Sequence, residues 1–278
     1  MLVNLNDVLK DAQSRGYGVG LFNTTDTYML QAAIDAAEKK RSPIIIGTAE
    51  VLLPYGELEI IAPSVINAAK KASVPVVVHF DHGLTFDRCM QALKLGFSSV
   101  MYDGSVHPYD ENVKNTREIV KIAHSFGATV EGEIGHVGEA ASSENTDVDL
   151  YTTVSEAKEY LCDTGVDALA VAIGTAHGAY RKKPRLDFDR LREIRSAVDV
   201  PLVLHGGSGL SDEDFRTAVK DGISKINIFT DMCIAGDTAM KDGTEAGLGY
   251  LETGKLKVEK IRGVIERKIE LFGSAGKA

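Results

Sequence analysis

Eight short apolar runs, each closing on polar residues and followed by a stretch of helical periodicity, set the rhythm of this chain. The runs fall at residues 19–22, 43–46, 74–78, 99–102, 129–132, 168–173, 201–204 and 225–228. They are rich in Val, Ile and Leu at consecutive positions, as strands covered on both faces require. Between them, apolar spacing predicts helices over 27–41, 58–72, 86–95, 111–126, 154–163, 187–196 and 212–221. Ser211 or Asp212 is placed to cap the last of these. Successive strands begin about 25 to 40 residues apart, the length of one strand-loop-helix-loop unit.

Eight such units in 278 residues predict an α/β fold of the closed (β/α)8 type, a TIM barrel. An open doubly wound sheet has fewer strands and often a GxGxxG turn after the first, which is absent. Residues 4–15 precede strand one and are expected to form a helix closing the barrel bottom. Residues 139–149, rich in Ser, Glu, Asp and Asn, read as a loop after strand five. With no linker and no low-complexity block, residues 1–278 are expected to form a single domain.

Barrels of this kind place their active site at the C-terminal ends of the strands. Those ends carry Asn23, Thr48, Asp81-His82, Asp103, Glu131 and Glu133, His177, His205, and Asn227 with Thr230. Three histidines, His82, His177 and His205, sit at the mouths of strands three, six and seven. Three imidazoles leave a zinc ion open positions for substrate oxygens, the pattern of a catalytic site. Spacing alone is a weak signal, because the three are far apart in sequence. Each is followed by glycine, which permits close backbone approach to a ligand. His107, His124 and His136 read as loop or helix-face residues, and His79 as a residue supporting the site from behind or as barrel interior.

Position leaves Asp81 open between proton transfer to a substrate hydroxyl and orientation of a neighbouring imidazole. Asp103 and Glu133 read as further carboxylates that orient the imidazoles or touch a second metal. The turn Gly206-Gly207-Ser208-Gly209 precedes a helix, and strand eight runs through Asn227-Ile228-Phe229-Thr230. Backbone N–H groups and a hydroxyl there suit an oxyanion, and barrels often bind phosphate after strands seven and eight.

Composition narrows the partners. A formal charge of -9 argues against nucleic acid or an anionic membrane, both of which want a basic face. No apolar run is long enough to span a bilayer, and no secretory signal is visible at the N-terminus. Cys89, Cys162 and Cys233 are odd in number and outside any CxxC, as expected of reduced thiols in the cytoplasm.

In order along the chain, the blocks Val78-His79-Phe80-Asp81-His82-Gly83, Tyr102-Asp103-Gly104-Ser105 and Glu131-Gly132-Glu133-Ile134-Gly135 are distinctive. They are followed by Ala172-Ile173-Gly174-Thr175-Ala176-His177-Gly178, Leu202-Val203-Leu204-His205-Gly206-Gly207-Ser208-Gly209 and Leu271-Phe272-Gly273-Ser274-Ala275-Gly276-Lys277. Nearly end to end, the chain resembles the class II, zinc-dependent ketose-bisphosphate aldolases, which include fructose- and tagatose-bisphosphate aldolases. The resemblance implies that Asp81 donates and accepts the reacting proton and that His82, His177 and His205 hold Zn2+. It implies that Gly178, Gly206, Gly207, Ser208 and Asn227, Ile228, Phe229 and Thr230 hold dihydroxyacetone phosphate. A monovalent cation (Na+ or K+) near the phosphate, a homodimer or homotetramer, and a proton-shuttling glutamate after strand five are also implied; Glu139 and Glu144 both qualify.

The expected reaction is reversible cleavage of a ketose 1-phosphate or 1,6-bisphosphate to dihydroxyacetone phosphate and an aldehyde. Phe229 departs from the polar or small residue usual in the family and leaves the sugar open. Arg181, Lys182 and Lys183 could meet a second anion or remain solvated. A Schiff-base route needs a lysine at a strand mouth, and Lys225 is expected at the opposite end of strand eight. The alternatives are an aldolase for a non-bisphosphate ketose phosphate, a metal-dependent barrel hydrolase, and a catalytically silent sugar-phosphate-binding barrel. The hydrolase wants an HxH pair on strand one, where this chain has Phe22-Asn23.

Overall fold

The computed structural model describes residues 1–135, 137–139, 151–178, 180 and 184–278. Eight parallel strands close on themselves: β1 (Val19–Asn23), β2 (Ile44–Ala49), β3 (Val76–Gly83), β4 (Ser99–Tyr102), β5 (Thr129–Ile134), β6 (Ala168–Val171), β7 (Leu202–Leu204) and β8 (Ile223–Ile228). Each pairs with its sequence neighbours, and β8 pairs back to β1, which completes the (β/α)8 barrel. All eight predicted strands are present. β3 and β5 run further than the apolar pattern suggested, to Gly83 and Ile134, because their polar C-terminal residues stay in the sheet.

Period-two alternation sorts the strand residues into two environments. Phe22, Ile46, Val78, Phe80, Val130, Leu204, Ile226 and Ile228 point outward and are buried against the helices. Val19, Leu21, Ile45, Val77, Ala168, Ala170 and Val203 point inward and form a separate cluster. That inner cluster is completed by Leu5, Val8, Leu9 and Ala12 of helix α1 (Leu5–Arg15), the expected plug of the barrel bottom. Asn4 caps α1 in a reciprocal capping box with Asp7, and Gly16 ends it in the left-handed conformation. Each buried leucine of the plug contributes about 1.5–3 kcal/mol.

The remaining helices are α2 (Thr27–Lys40), α3 (Leu58–Lys71), α4 (Phe86–Leu95), α5 (Tyr109–Ser125), α6 (Val154–Thr164), α7 (Phe188–Ala197), α8 (Asp212–Lys220), α9 (Thr230–Glu245) and α10 (Tyr250–Phe272). The predicted helices are found within a few residues of their expected ends. Ser211, not Asp212, is the cap of α8. Among the described residues, no helix is long and apolar enough to cross a membrane.

Above the apolar plug the barrel axis turns polar. His79 and Asp81 of β3, Glu131 and Glu133 of β5, His205 after β7, and Lys225 and Asn227 of β8 are all buried. Water cannot solvate these groups, so they must satisfy one another or a ligand.

Candidate active site

Two neighbours on β3 bring a carboxylate and an imidazole to one place. In a regular strand Asp81 and His82 would face opposite sides of the sheet. Here the β3–β4 register slips between Phe80 and Gly83, and His82 adopts a left-handed φ of 43°. Such a conformation costs a non-glycine residue about 1–3 kcal/mol. Its effect is that both side chains line one pocket.

His177 belongs to a two-residue strand, Ala176–His177, which lies beyond β6 and pairs in parallel with Gly138–Glu139. His205 directly follows β7. The His82 ring centroid lies 4.8 Å from that of His177 and 4.4 Å from that of His205. One nitrogen from each of the three rings falls within 4.8 Å of the others.

Each ring leaves a buried nitrogen with no hydrogen-bond partner: His82 Nε2, His177 Nε2 and His205 Nδ1. On two rings the other nitrogen is held by a carboxylate. His82 Nδ1 is 2.7 Å from Asp103 Oδ2, and His205 Nε2 is 2.8 Å from Glu131 Oε1. A carboxylate accepts N–H there, so in the neutral tautomer the lone pair sits on the unpartnered nitrogen. Glu133 Oε2 lies 3.2 Å from His205 Nδ1 and is itself without a hydrogen bond. Three convergent lone pairs, with Asp103 and Glu133 beside them, fit a divalent metal that keeps open positions for substrate.

At His177 the charges match that fit, whereas at His205 the neighbouring carboxylates favour a protonated ring whose proton a bound metal would displace. Burial, followed by the charges of His82 and His205, pushes the His177 pKa down to about 3, so this ring is neutral at pH 7. Burial also opposes protonation of His205, but the Glu131 carboxylate that accepts its Nε2–H and the nearby Glu133 charge outweigh it and raise that ring to about 10. Glu131 is lowered to about 2: burial works against ionisation and is overcome by the Lys225 ammonium and the His205 bond. Burial and then Lys225 push His79 down to about 4; its Nδ1 bonds Ser99 Oγ at 2.8 Å, inside the barrel as expected.

Asp81 is 1 % exposed and gripped from two sides. Asn23 Nδ2 donates to Oδ2 at 2.8 Å, and Asn227 Nδ2 donates to Oδ1 at 2.9 Å. Burial alone would raise its pKa, yet the charges of His82, Lys225 and His205 hold it well below the usual carboxylate range. The carboxylate is therefore ionised, fixed in orientation and open to the pocket.

The pocket has a volume of about 320 Å³. One side is formed by Gly206, Gly207 and Ser208 after β7 and by Asn227 to Thr230 at the end of β8, with Gly178 alongside. Ser208 Oγ accepts the N–H of Phe229 at 3.1 Å and of Asp231 at 3.3 Å, which ties the glycine turn to the N-terminus of α9. The Ile228 side chain points outward into the core. The Asn227 amide is engaged by Asp81 and by Lys225, so its side chain acts on Asp81.

The chain matches the fructose-bisphosphate aldolase class-II family over residues 3–277. It is 38% identical to the 6-phospho-5-dehydro-2-deoxy-D-gluconate aldolase of Shouchella clausii, over 99% of this chain and 96% of that one. It is 37% identical to the fructose-bisphosphate aldolase of Thermus caldophilus over the whole of both chains. The crystal structure of the YdjI aldolase from Escherichia coli superposes with a TM-score of 0.89 at 36% identity, covering all of both chains. This chain belongs to the class-II fructose-bisphosphate aldolase family.

In this class-II aldolase, Asp81, His82, Asp103, His177, Gly178, Gly206 to Ser208 and Asn227 to Thr230 line the pocket, His205 and Glu133 lie beside His82, and Thr48 and Glu131 do not line it. Of the two glutamates after strand five, Glu139 has its backbone paired with His177, whereas Glu144 lies outside the described residues, as do His136 and Arg181 to Lys183. One expectation is corrected. Lys225 does not line the pocket, yet it is not remote from the site's residues: its side chain lies on the barrel axis, completely buried, with Nζ 2.7 Å from Asn227 Oδ1 and 2.8 Å from Glu131 Oε2.

Sequence reasoning also missed Tyr180. Its hydroxyl accepts the Ala176 N–H and donates to the Gly206 carbonyl, each at 2.8 Å, which staples the His177 segment to the glycine turn. It missed the apolar wall of Val51, Leu52, Leu84, Val106 and Val137 as well. These residues follow β2 to β5, across the mouth from the glycine turn.

Proposed function

We propose that this aldolase reversibly cleaves a ketose 1-phosphate to dihydroxyacetone phosphate and an aldehyde, using a divalent metal, Zn2+, held by His82, His177 and His205. The observation that carries this reading is the set of three unpartnered imidazole nitrogens beside an ionised, doubly anchored Asp81. Bound there, the ion supplies an electrophile for the ketose carbonyl.

The chain's own residues supply the rest. Asp81 takes the proton from the hydroxyl beside the scissile bond in cleavage and returns it to the aldehyde oxygen in synthesis. Gly206, Gly207, Ser208 and the start of α9 hold the phosphate with N–H groups and the helix dipole. That binding fixes which end of the sugar faces the metal site and turns the reaction into an oriented, unimolecular event. A glutamate after β5, Glu139 or Glu144, would shuttle the proton of the nucleophilic carbon.

With phosphate anchored at β7 and β8, the aldehyde half extends toward the apolar wall of Val51, Leu52, Leu84, Val106 and Val137. That wall offers a terminal phosphate no cationic partner among its side chains, which supports an aldehyde without one over the second half of a bisphosphate. Exposed Ile234 and Met240 on α9, with Tyr250 and Leu251 on α10, support self-association as a homodimer or homotetramer. The reduced cysteines support a cytoplasmic setting.

A coupled assay for dihydroxyacetone phosphate across a panel of ketose phosphates tests the substrate. The expected result is a higher kcat/KM for ketose 1-phosphates than for fructose or tagatose 1,6-bisphosphate. A bisphosphate preferred by tenfold or more contradicts the assignment of the aldehyde half.

A further inference from the structure

Building on the assignment of Asp81 and the three histidines, we propose that Lys225 is a positioning residue that fixes Asp81 and the metal ligand His205 through two short bridges. Lys225 and Asn227 are two apart on β8, so both point inward. The Lys225 ammonium donates to Asn227 Oδ1 at 2.7 Å, and Asn227 Nδ2 donates to Asp81 Oδ1 at 2.9 Å. On its other side the ammonium donates to Glu131 Oε1 at 3.1 Å, and the same oxygen lies 2.8 Å from His205 Nε2. One cation therefore sits behind both halves of the chemistry.

The bridges carry information because of donor and acceptor identity. An amide can turn over with little change of shape, exchanging its oxygen and nitrogen. In the wrong orientation, Asn227 Oδ1 would face the Asp81 carboxylate, and two acceptors would repel. An ammonium is a donor only, so it binds Oδ1 and leaves Nδ2 for Asp81. The second bridge sets His205: Glu131, fixed by Lys225, accepts the Nε2 proton and leaves the lone pair on Nδ1. Metal-bound histidines depend on such outer partners for ring orientation and basicity.

This role also explains a fully buried lysine that touches no substrate-lining space: Lys225 is 0 % exposed and does not line the pocket, whereas Asn227 does. A buried ammonium is costly unless it is paired and hydrogen-bonded, and both of its partners serve residues of the site. A Schiff-base role would need Lys225 open to the ketose carbonyl.

The test compares wild type with K225M and with the pair K225M/E131Q, which removes the carboxylate left unpaired by the first change. The readouts are zinc affinity by chelator competition, melting temperature, and kcat and KM per zinc-loaded site. K225M is expected to weaken zinc binding about 10–100-fold, as loss of an outer partner does. It is expected to lower kcat about 100-fold, the scale of a 1 Å misplacement, with KM changed less than about threefold. K225M/E131Q is expected to regain melting temperature but not kcat, because the Asn227 amide stays unlocked. If K225M fails to fold, the double variant read against E131Q alone decides: a kcat well below that of E131Q at full zinc loading supports the role, and a kcat equal to it overturns the role. A merely structural lysine would lower the melting temperature and leave kcat per loaded site intact. Borohydride trapping of substrate on Lys225 would also overturn the role. A wild type that cleaves no ketose phosphate counts against the functional reading, whereas the zinc competition still reports on Lys225 by itself.

Discussion

Replacing Asp81 by alanine is expected to lower the rate of aldol cleavage by about 10²- to 10⁴-fold, the range of a well-placed general base, with bound metal retained. The carboxylate is the only acidic group anchored by two side-chain amides at the mouth among the described residues, with Asn23 on one oxygen and Asn227 on the other. That grip spends the outer lone pairs on orientation and leaves the carboxylate facing the pocket. Of the three imidazoles, His82 and His205 take their support elsewhere, from Asp103 and Glu131, and none hydrogen-bonds Asp81, so the variant should keep its metal. Metal analysis alongside single-turnover kinetics checks both halves. Loss of metal and of fold together would make Asp81 a structural group.

His177→Ala is expected to have the second large effect, on metal first and on activity in consequence. His82 and His205 are embedded in carboxylate hydrogen bonds, and their removal would also break a bond to Asp103 or Glu131. His177 has no such carboxylate bond among the described contacts, and burial keeps it neutral with a pKa near 3. Truncating it removes one ligand with little collateral damage. The expected loss of metal affinity exceeds the about 10–100-fold typical of an outer partner, and turnover at micromolar metal falls to background. Metal affinity and circular dichroism measured together check this. A folded variant with wild-type affinity would remove His177 from the ligand set.

Much of this was legible in the amino-acid order, for identifiable reasons. Consecutive apolar strands and intervening amphipathic helices have distinct periods, so the eight units and the N-terminal plug could be read directly. The polar residues at strand ends recurred in one phase, which placed His82, His177, His205 and Asp81 together before any geometry was known. The glycines after His82 and His205 have a second reason to be there. A Cβ at Gly83 would lie 2.6 Å from Cys89 Sγ and Met101 O, and at Gly206 2.3 Å from Ala176 O. Those glycines are demanded by the protein's own packing as much as by any ligand.

What escaped the sequence depended on departures from regular geometry or on long-range pairing. Period two assigns Asp81 and His82 to opposite faces; only the register slip and the left-handed His82 bring them to one pocket. Lys225 was judged by where its Cα falls along β8, but a long side chain on the barrel axis spans to the next layer. Its partners Glu131 and Asn227 lie on β5 and on its own strand, and no local spacing announces the first of these. Tyr180 connects Ala176 to Gly206 across loops whose proximity only the closed barrel creates.

Anomalous X-ray scattering from crystals grown with zinc tests the central claim most directly. A single strong peak is predicted about 2.0–2.1 Å from each of His82 Nε2, His177 Nε2 and His205 Nδ1, the usual zinc–imidazole distance. Active enzyme whose crystals show the three rings turned to separate partners, with no ion shared among them, would contradict the account.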